Sequence, residues 1–390
     1  MDPYRTELIP LAALPPTPKI NIYGNVCNNA YSLAKGLRAG GLDARLILEA
    51  DCLWRPEQED PELEGAYPDW IRKVPSLRLK RFGLGDRSFV KTLGDCDLVH
   101  TFYYGPIWAR KTGRPSVFHT YGGDLNVFPF MKDNPVRRYL AFRQRQGLRD
   151  MDLVLLNSNF GKRAAEQLQL KRTAFIPLFL DVGRFHPLDP EAVARARAEY
   201  NADWIFFHPT RQAWTDQTGP WERKGNHRLF RAWAQFLKKT QKKARLLAIA
   251  HGPDLEHSRA LVRELGIGDH VQWLPRMSRH ELVKYYNLCH AVFDQFVMED
   301  YGTIASETWA CERPVFMNLK HIPELFEEAP PVIQVSTEKE ILAALIEHTE
   351  DPQTLKILGA RSREWVMKYL QGPKLFNRYM NHYNRLLEKS

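Results

Sequence analysis

The chain has few features that would tie or anchor it from outside its own core. Its five cysteines, Cys27, Cys52, Cys96, Cys289 and Cys311, are odd in number, scattered and without a CxxC pair. That argues against a disulfide framework or a zinc knuckle, and for reduced thiols packed as small apolar residues. No window approaches the unbroken apolar run that a membrane-spanning helix needs. The opening residues, MDPYRTELIP, place no basic region ahead of an apolar core, so the expectation is a protein that stays in the cytoplasm. The 13 histidines show no metal-ligand spacing: His280-Glu281 begins as a zinc-protease helix would, but Lys284 stands where the second histidine belongs. Two Asp-x-Asp triplets, Asp95 to Asp97 and Asp150 to Asp152, look like metal sites but run straight into the apolar stretches DLVH and DLVLLN. They read better as strand starts, and no metal is expected. Fixed-period repeats and low-complexity tracts are missing too.

What is present is a chain of 390 residues, long enough for two domains with separate cores. A hydrophobic content of 44%, with 12% aromatic, excludes a disordered chain. The formal net charge of +9 favours an anionic partner, which could be a nucleic acid, a membrane face or a phosphorylated ligand. The densest basic stretch, VRRYLAFRQRQGLRD, sets Arg137, Arg138, Arg143, Arg145 and Arg149 on one helix with Leu140 and Phe142. Such a helix is either a plain solvated surface or a contact for a membrane or an acidic acceptor.

Short apolar, β-branched runs alternate with helical patterns from end to end. The first series is Lys19 to Gly24, Ala44 to Ala50, Asp97 to Tyr103, Ser116 to Gly122, Asp152 to Ser158 and Thr173 to Phe179. Leu180 to Pro190 is rich in turn residues and reads as the linker. A second series begins at Trp204, Ala244, His270, Ala291, Arg313 and Pro330. Continuous apolar strands separated by helices predict two parallel sheets covered on both faces, an α/β class. Ligands of such sheets bind beyond the carboxyl ends of the strands, so the expected site is a cleft between two facing domains. Cys52 to Asp86, rich in Pro, Trp and charge, is the least regular region and reads as a surface excursion or an ordered insertion. The polar and aromatic helix Gly372 to Ser390 is expected to pack back on the first domain.

The chemistry concentrates in DQFVMEDYGTIASETWACERPVFMN, Asp294 to Asn318. Glu299 lies in a loop and Glu307 in the helix that follows, so two carboxylates can face one ligand. Ionised carboxylates accept hydrogen bonds from vicinal hydroxyls, which suits a sugar at Glu299 and a ribose at Glu307. A helix starting at Gly302 to Ile304 would offer unpaired N–H groups to a phosphate. Arg211, after the first strand of the second series, and Lys224, before a helix, could neutralise a diphosphate.

These segments resemble the retaining glycosyltransferases of the GT-B fold, in particular the large family 4 that includes many bacterial sugar transferases and sucrose synthases. The likeness rests on EDYGTIASETWACERPV, in which seven residues separate two glutamates and a Pro-Val follows. It continues through SNFGKRAAEQL, IPLFLDVGRFHP and LGIGDHVQWLPRMSRHELVKYYNLCHAVF. The resemblance implies two Rossmann-like, doubly wound domains, residues 1–182 on the acceptor side and 183–371 on the donor side, with a helix at 372–390. It implies that Arg211 and Lys224 grip the donor diphosphate, Glu299 touches the donor sugar and Glu307 holds the ribose. Gly302 and Thr303 would contact phosphate through their backbone, and the base would lie near Pro275 and Arg276. Gly24 matches the first of two glycines in a loop approaching the donor, and Asn25 stands in place of the second. Tyr121 occupies a position usually held by histidine, with Gly122 and Asp124 retained. His119, two residues earlier on a strand, could face the same side, so either could serve the acceptor. Glu312 stands where glycine is usual. The implied activity is metal-independent transfer of a hexose from a UDP- or GDP-sugar to a hydroxyl of a glycan, a lipid-linked sugar or a small molecule, with no cofactor beyond the donor. The rivals are a nucleotide-sugar epimerase or hydrolase on the same fold, and a non-catalytic basic module for nucleic acid or membrane.

Overall fold

The computed structural model describes residues 17–77, 86–219, 222–240, 242–322 and 326–389. The opening decapeptide, part of the Cys52 to Asp86 region, and Ser390 lie outside these. The chain divides into two units, residues 1–179 with 372–390, and residues 180–371.

The first unit holds seven strands: β1 (Lys19–Tyr23), β2 (Asp43–Glu49), β3 (Ile71–Val74), β4 (Leu98–Thr101), β5 (Ser116–His119), β6 (Leu153–Leu156) and β7 (Thr173–Phe175). They are ordered β3-β2-β1-β4-β5-β6-β7 and every pairing is parallel. β4, β5 and β6 are buried at every residue; β6 is apolar throughout, while β4 and β5 pair two apolar residues with buried His100, Thr101, Ser116 and His119. β3 lies in the stretch that looked irregular. It is an edge strand, and its middle residues Arg72 and Lys73 are exposed, so the sequence carries no apolar run to betray it.

The region before β3 is an ordered insertion. Asn25 and Asn28 donate to the carbonyls of Trp54 and Arg55, at 2.8 and 3.1 Å, and Lys35 pairs with buried Asp60 at 2.6 Å.

The second unit repeats the plan with β8 (Trp204–His208), β9 (Ala244–Ile249), β10 (Val271–Leu274), β11 (Ala291–Phe293), β12 (Val315–Met317) and β13 (Ile333–Gln334). Their order is β10-β9-β8-β11-β12-β13, again all parallel. In each sheet the order reverses beside the unit's first strand, between β1 and β4 and between β8 and β11. Those reversals open the crevices in which ligands of doubly wound sheets sit.

Both Asp-x-Asp triplets are strand-end devices. Asp97 accepts from the Lys19 N–H at 2.8 Å, and Asp152 accepts from the N–H and hydroxyl of Ser116 at 2.9 and 3.0 Å. Each carboxylate therefore closes the first open donor of the neighbouring strand. Glu281 forms a capping box with Ser278 rather than part of a metal motif.

The stretch read as the linker begins where the two units divide, at residue 180, and it is packed rather than free. Leu180 and Phe185 are buried in the core of the second unit, and Asp181 turns the chain by accepting from the N–H groups of Gly183 and Arg184. At the other end, helix Gly372–Leu387 buries Leu375, Tyr379, Met380 and Tyr383 in the core of the first unit.

Candidate functional site

In the second unit, β8 ends at His208, beside β11. His208 is buried and its Nδ1 pairs with the Phe293 carbonyl at 2.8 Å, which leaves Nε2 to accept from Asn226 Nδ2 at 2.8 Å. Burial lowers its pKa to about 4, so the ring is neutral as this arrangement requires. Asn226 Oδ1 in turn accepts from the Ala213 N–H at 3.0 Å. The long loop after β8 is thus tied to the start of the next helix.

A second knot is Asp254, which accepts from the Trp214 and Thr215 N–H groups and from the hydroxyls of Thr215 and Thr218, at 2.5 to 2.9 Å. Burial would raise its pKa, but these donors outweigh burial and hold it at about 2. The adjoining Gly252 has φ +130°, and a Cβ there would lie 2.3 Å from the Gln212 carbonyl oxygen. Only glycine lets the two loops meet.

This frame carries the cations. The Arg211 guanidinium is 3.4 Å from Glu222 and partly open to solvent. Lys224 is fixed by its backbone to Ala213 and Phe296, and its ammonium donates to Gln295 Oε1 at 2.5 Å. Burial lowers the Lys224 pKa, buried Asp294 opposes that, and Arg211 adds to the lowering. The Asp294 carboxyl is raised by burial and held back by Lys224 and by a hydrogen bond from Thr210 at 2.9 Å. Arg276, exposed after β10, and Arg211 both depress His251, after burial. The carboxyl ends of β8, β9 and β10 therefore carry like charges close enough to feel one another.

Gln295 links these cations to the helix Thr303–Ala310. Its Nε2 donates to the Asp300 carbonyl at 2.5 Å, two residues ahead of Gly302. The helix Thr303–Ala310 begins there with no side-chain cap, and the space a Gly302 side chain would fill is open. Gly302 and Thr303 are exposed.

The two glutamates are in different states. Glu307 is 2% exposed, with Arg279 Nε donating to Oε1 at 2.7 Å and the Tyr286 hydroxyl to Oε2 at 3.0 Å. Glu299 is half-buried and held by Lys320 Nζ at 2.7 Å and His321 Nε2 at 3.0 Å. Lys320 lowers its pKa most, and His321 adds to that.

Sequence reasoning missed Gln295, Arg279, Tyr286, Lys320 and His321. Only the Ser278–Glu281 capping box offered a signal, since it places Arg279 at a helix start. Among the described residues no cluster of three or more His, Cys, Asp or Glu side chains could hold a metal.

In the first unit the expected residues divide. Gly24 has φ +96°, and a Cβ would meet the Phe102 carbonyl oxygen at 2.3 Å, so backbone packing between β1 and β4 already demands glycine. Asn25 is buried and fully engaged: its Nδ2 bonds Asn28 and the Trp54 carbonyl, each at 2.8 Å, and its Oδ1 accepts from the Tyr31 N–H at 2.9 Å. Its side chain holds a turn.

His119 is likewise corrected. It is 0% exposed, bonded through Nε2 to the Ile176 carbonyl at 3.0 Å and through Nδ1 to the Tyr379 hydroxyl at 3.1 Å. It belongs to the core, and only Tyr121 stays in the loop after β5. That loop is organised by buried Asp124, which accepts from Thr120 at 2.5 Å and from the N–H groups of Tyr103, Tyr121 and Gly122 at 3.1 to 3.2 Å. Burial raises the Asp124 pKa to about 7, against the pull of those donors.

Two family models match the chain: Glycosyltransferase Family 4 over residues 28–184 and Glycosyl transferases group 1 over residues 221–365. A D-inositol 3-phosphate glycosyltransferase of Frankia alni is 30% identical over 145 residues, covering 35% of this chain and 33% of that protein. The match thus spans about a third of that relative's length. A GDP-mannose-dependent alpha-(1-6)-phosphatidylinositol monomannoside mannosyltransferase of Mycolicibacterium smegmatis is 26% identical over 279 residues, covering 67% of this chain and 68% of that protein. Among solved structures, Anabaena HepE in complex with UDP-glucose superposes with a TM-score of 0.72 at 17% identity, covering 94% of this chain and 100% of that one. That likeness speaks for the fold.

Proposed function

Since the chain belongs to the GT-B glycosyltransferases, with its first half in family 4 and its second in glycosyl transferases group 1, we propose that it moves a hexose from a nucleoside diphosphate sugar to an acceptor hydroxyl, with retention and without a metal. The observation that carries this reading is the link from Lys224 through Gln295 to Asp300, which joins a cation to an uncapped helix start. Arg211 and Lys224 take the diphosphate with the N–H groups of Gly302 and Thr303, Arg276 lies along the base, and Glu307 accepts from the ribose. Glu299 accepts from hydroxyls of the sugar.

As the bond from the anomeric carbon to phosphate breaks, negative charge grows on the nucleotide, where fixed cations stabilise it. The acceptor oxygen attacks the face that the phosphate leaves, and the phosphate takes the acceptor's proton, so no general base is assigned. Tyr121 of the first unit serves the acceptor, on a loop that buried Asp124 holds in place. The Mycolicibacterium relative's name pairs a GDP-sugar with a phosphatidylinositol glycolipid, which favours testing lipid-borne acceptors. A cytoplasmic setting, with peripheral membrane contact through the helix bearing Arg137 to Arg149, belongs to the same proposal. Among the described residues no helix is long and apolar enough to cross a membrane.

The test is thermal stabilisation by UDP, GDP and their hexose conjugates, in wild type and Arg211→Ala. A nucleotide at about a hundredfold excess over its Kd should add about 3 kcal/mol. The expected result is a shift with one base, lost in Arg211→Ala, whose side chain is exposed enough to remove without harm to the fold. No shift with any nucleotide, together with nucleic-acid binding that falls steeply with salt, would overturn the proposal in favour of a binding module.

A further inference from the structure

The helix Pro135–Asp150 is firmly mounted on its inner side. Ala141, Gln144, Gly147 and Leu148 are buried, Gln144 Nε2 donates to the Tyr103 carbonyl at 2.8 Å, and a Cβ on Gly147 would lie 2.5 Å from the Pro106 backbone. Its outer side is unlike the rest of the surface. Every residue from Lys132 to Tyr139 is exposed. Val136, Tyr139 and Phe142 are 51%, 40% and 47% exposed, and only Leu53 and Ile357 among the described residues are comparable. The spacing of three residues lines these side chains along the outer face, the opposite side from Ala141 and Gln144.

The arginines on this helix fall into two sets. Arg145 and Arg149 turn back to the carbonyls of Pro129 and Leu168, and Arg137 pairs with Asp133. Arg138 and Lys132 have no side-chain partner among the described residues. Arg143 stays at the surface, its guanidinium 3.0 Å from the Tyr139 hydroxyl and 5.7 Å from the centre of that ring. Helical geometry puts Arg138 on one flank of the Tyr139–Phe142 stripe and Arg143 on the other.

We infer that this face adsorbs to a bilayer containing anionic phospholipid, with Tyr139 and Phe142 entering the headgroup region and Lys132, Arg138 and Arg143 meeting phosphate. The inference deepens the membrane contact proposed above and rests on it, but not on the donor chemistry. An apolar stripe bounded by cations on both sides matches the layering of an anionic membrane surface, where tyrosine places its ring among acyl chains and its hydroxyl among headgroups. The stripe runs only about 9 Å from Val136 to Phe142, which fits shallow, reversible adsorption. A protein partner would have to supply acidic groups on both flanks of one convex helix, so the lipid surface is the occupant the charge pattern favours.

The experiment is co-sedimentation of the full chain, without nucleotide, with phosphatidylcholine vesicles and with vesicles in which about a third is phosphatidylglycerol. Binding is expected only to the anionic vesicles and should weaken as salt rises. Arg138→Glu with Arg143→Glu should lower the partition coefficient at least about tenfold. Tyr139→Ser with Phe142→Ser should lower it comparably and make what remains more salt-sensitive. Thermal unfolding of both variants checks that they fold. Equal binding to neutral vesicles, no binding at all, or variants that bind like wild type would overturn the inference. So would a concentration-dependent dimer that Tyr139→Ser with Phe142→Ser abolishes, since the face would then belong to a second copy. Because no nucleotide is present, failure of the donor reading leaves these outcomes unchanged.

Discussion

Glu299 owes its aim to two residues that follow β12. Lys320 and His321 reach it with their side chains, and their backbone N–H groups donate to its carbonyl at 3.1 and 3.0 Å. The loop after β11 is therefore stapled to the loop after β12, and the carboxylate cannot swing freely. Partly exposed ion pairs contribute about 0–1 kcal/mol to stability, so replacing both residues with alanine should barely move the unfolding transition. Donor recognition should respond more. In Lys320→Ala with His321→Ala, affinity for free nucleoside diphosphate is expected to hold, while the extra affinity conferred by the hexose falls about tenfold, some 1.4 kcal/mol. Equal loss for nucleotide and nucleotide sugar would place the pair on the diphosphate instead. Nothing in the sequence pointed to this clamp, because Glu299 and His321 meet only when two loops from different strands are brought together. The residue types of Arg211, Lys224 and Glu299 were legible from their positions after strands. That His119 is spent on Tyr379, 260 positions away, was not.

Elements were legible to the degree that burial shaped them. Strands in the middle of the sheets, β1, β2, β4 to β6, β8, β9, β11 and β12, announced themselves by their apolar residues, and the edge strands β7, β10 and β13 still kept enough of them to be read. β3 did not, because its middle residues are the exposed Arg72 and Lys73, and the turn residues of Leu180 to Pro190 marked where the units divide without showing that Leu180 and Phe185 are buried. Helix Thr303–Ala310 shows how an element end can carry strain. Its last residue is followed by Cys311 and then by Glu312 at φ +60°, a left-handed conformation that glycine adopts without steric cost. The close approach of Gly359, whose Cβ would lie 2.5 Å from the Glu312 carbonyl oxygen, fixes the turn there. Glu312→Gly should therefore stabilise the protein by about 0.5–1 kcal/mol, the relief of strain exceeding the added freedom of the unfolded chain. Urea unfolding would read it, and a destabilisation would mean that the Glu312 side chain makes a contact worth more than the strain.

At the scale of the whole molecule, the response to acid follows from groups buried in both units. His100 and His119 in the first unit and His208 and His290 in the second are all depressed by burial, the last three to about 4. A histidine neutral in the fold takes a proton on unfolding near pH 6.5, so between pH 6.5 and about 4 the unfolded state binds more protons and stability falls as pH falls. For a fully buried ring this amounts to about 3 kcal/mol over that interval. Asp124 opposes the trend. Its carboxyl is raised to about 7, so the fold holds a proton that the unfolded chain releases, and its contribution grows as pH falls from about 7 toward 3.8. Asp294, also raised by burial, works in the same direction. Four imidazoles outweigh two carboxyls, and the net charge of +9 at pH 7 rises further in acid and adds self-repulsion. The free energy of unfolding should therefore drop by several kcal/mol from about pH 7 to about pH 5, read as a lower denaturation midpoint, well before the bulk of the carboxylates protonate. His119→Gln, which keeps a polar group opposite Tyr379, should flatten the slope of the first unit's transition in proportion to one proton. A wild-type profile flat from pH 7 to pH 5 would mean that these rings are charged inside the fold. The hydrogen bonds from His119 and His208 to backbone carbonyls would then have to compensate a charge that nothing nearby neutralises.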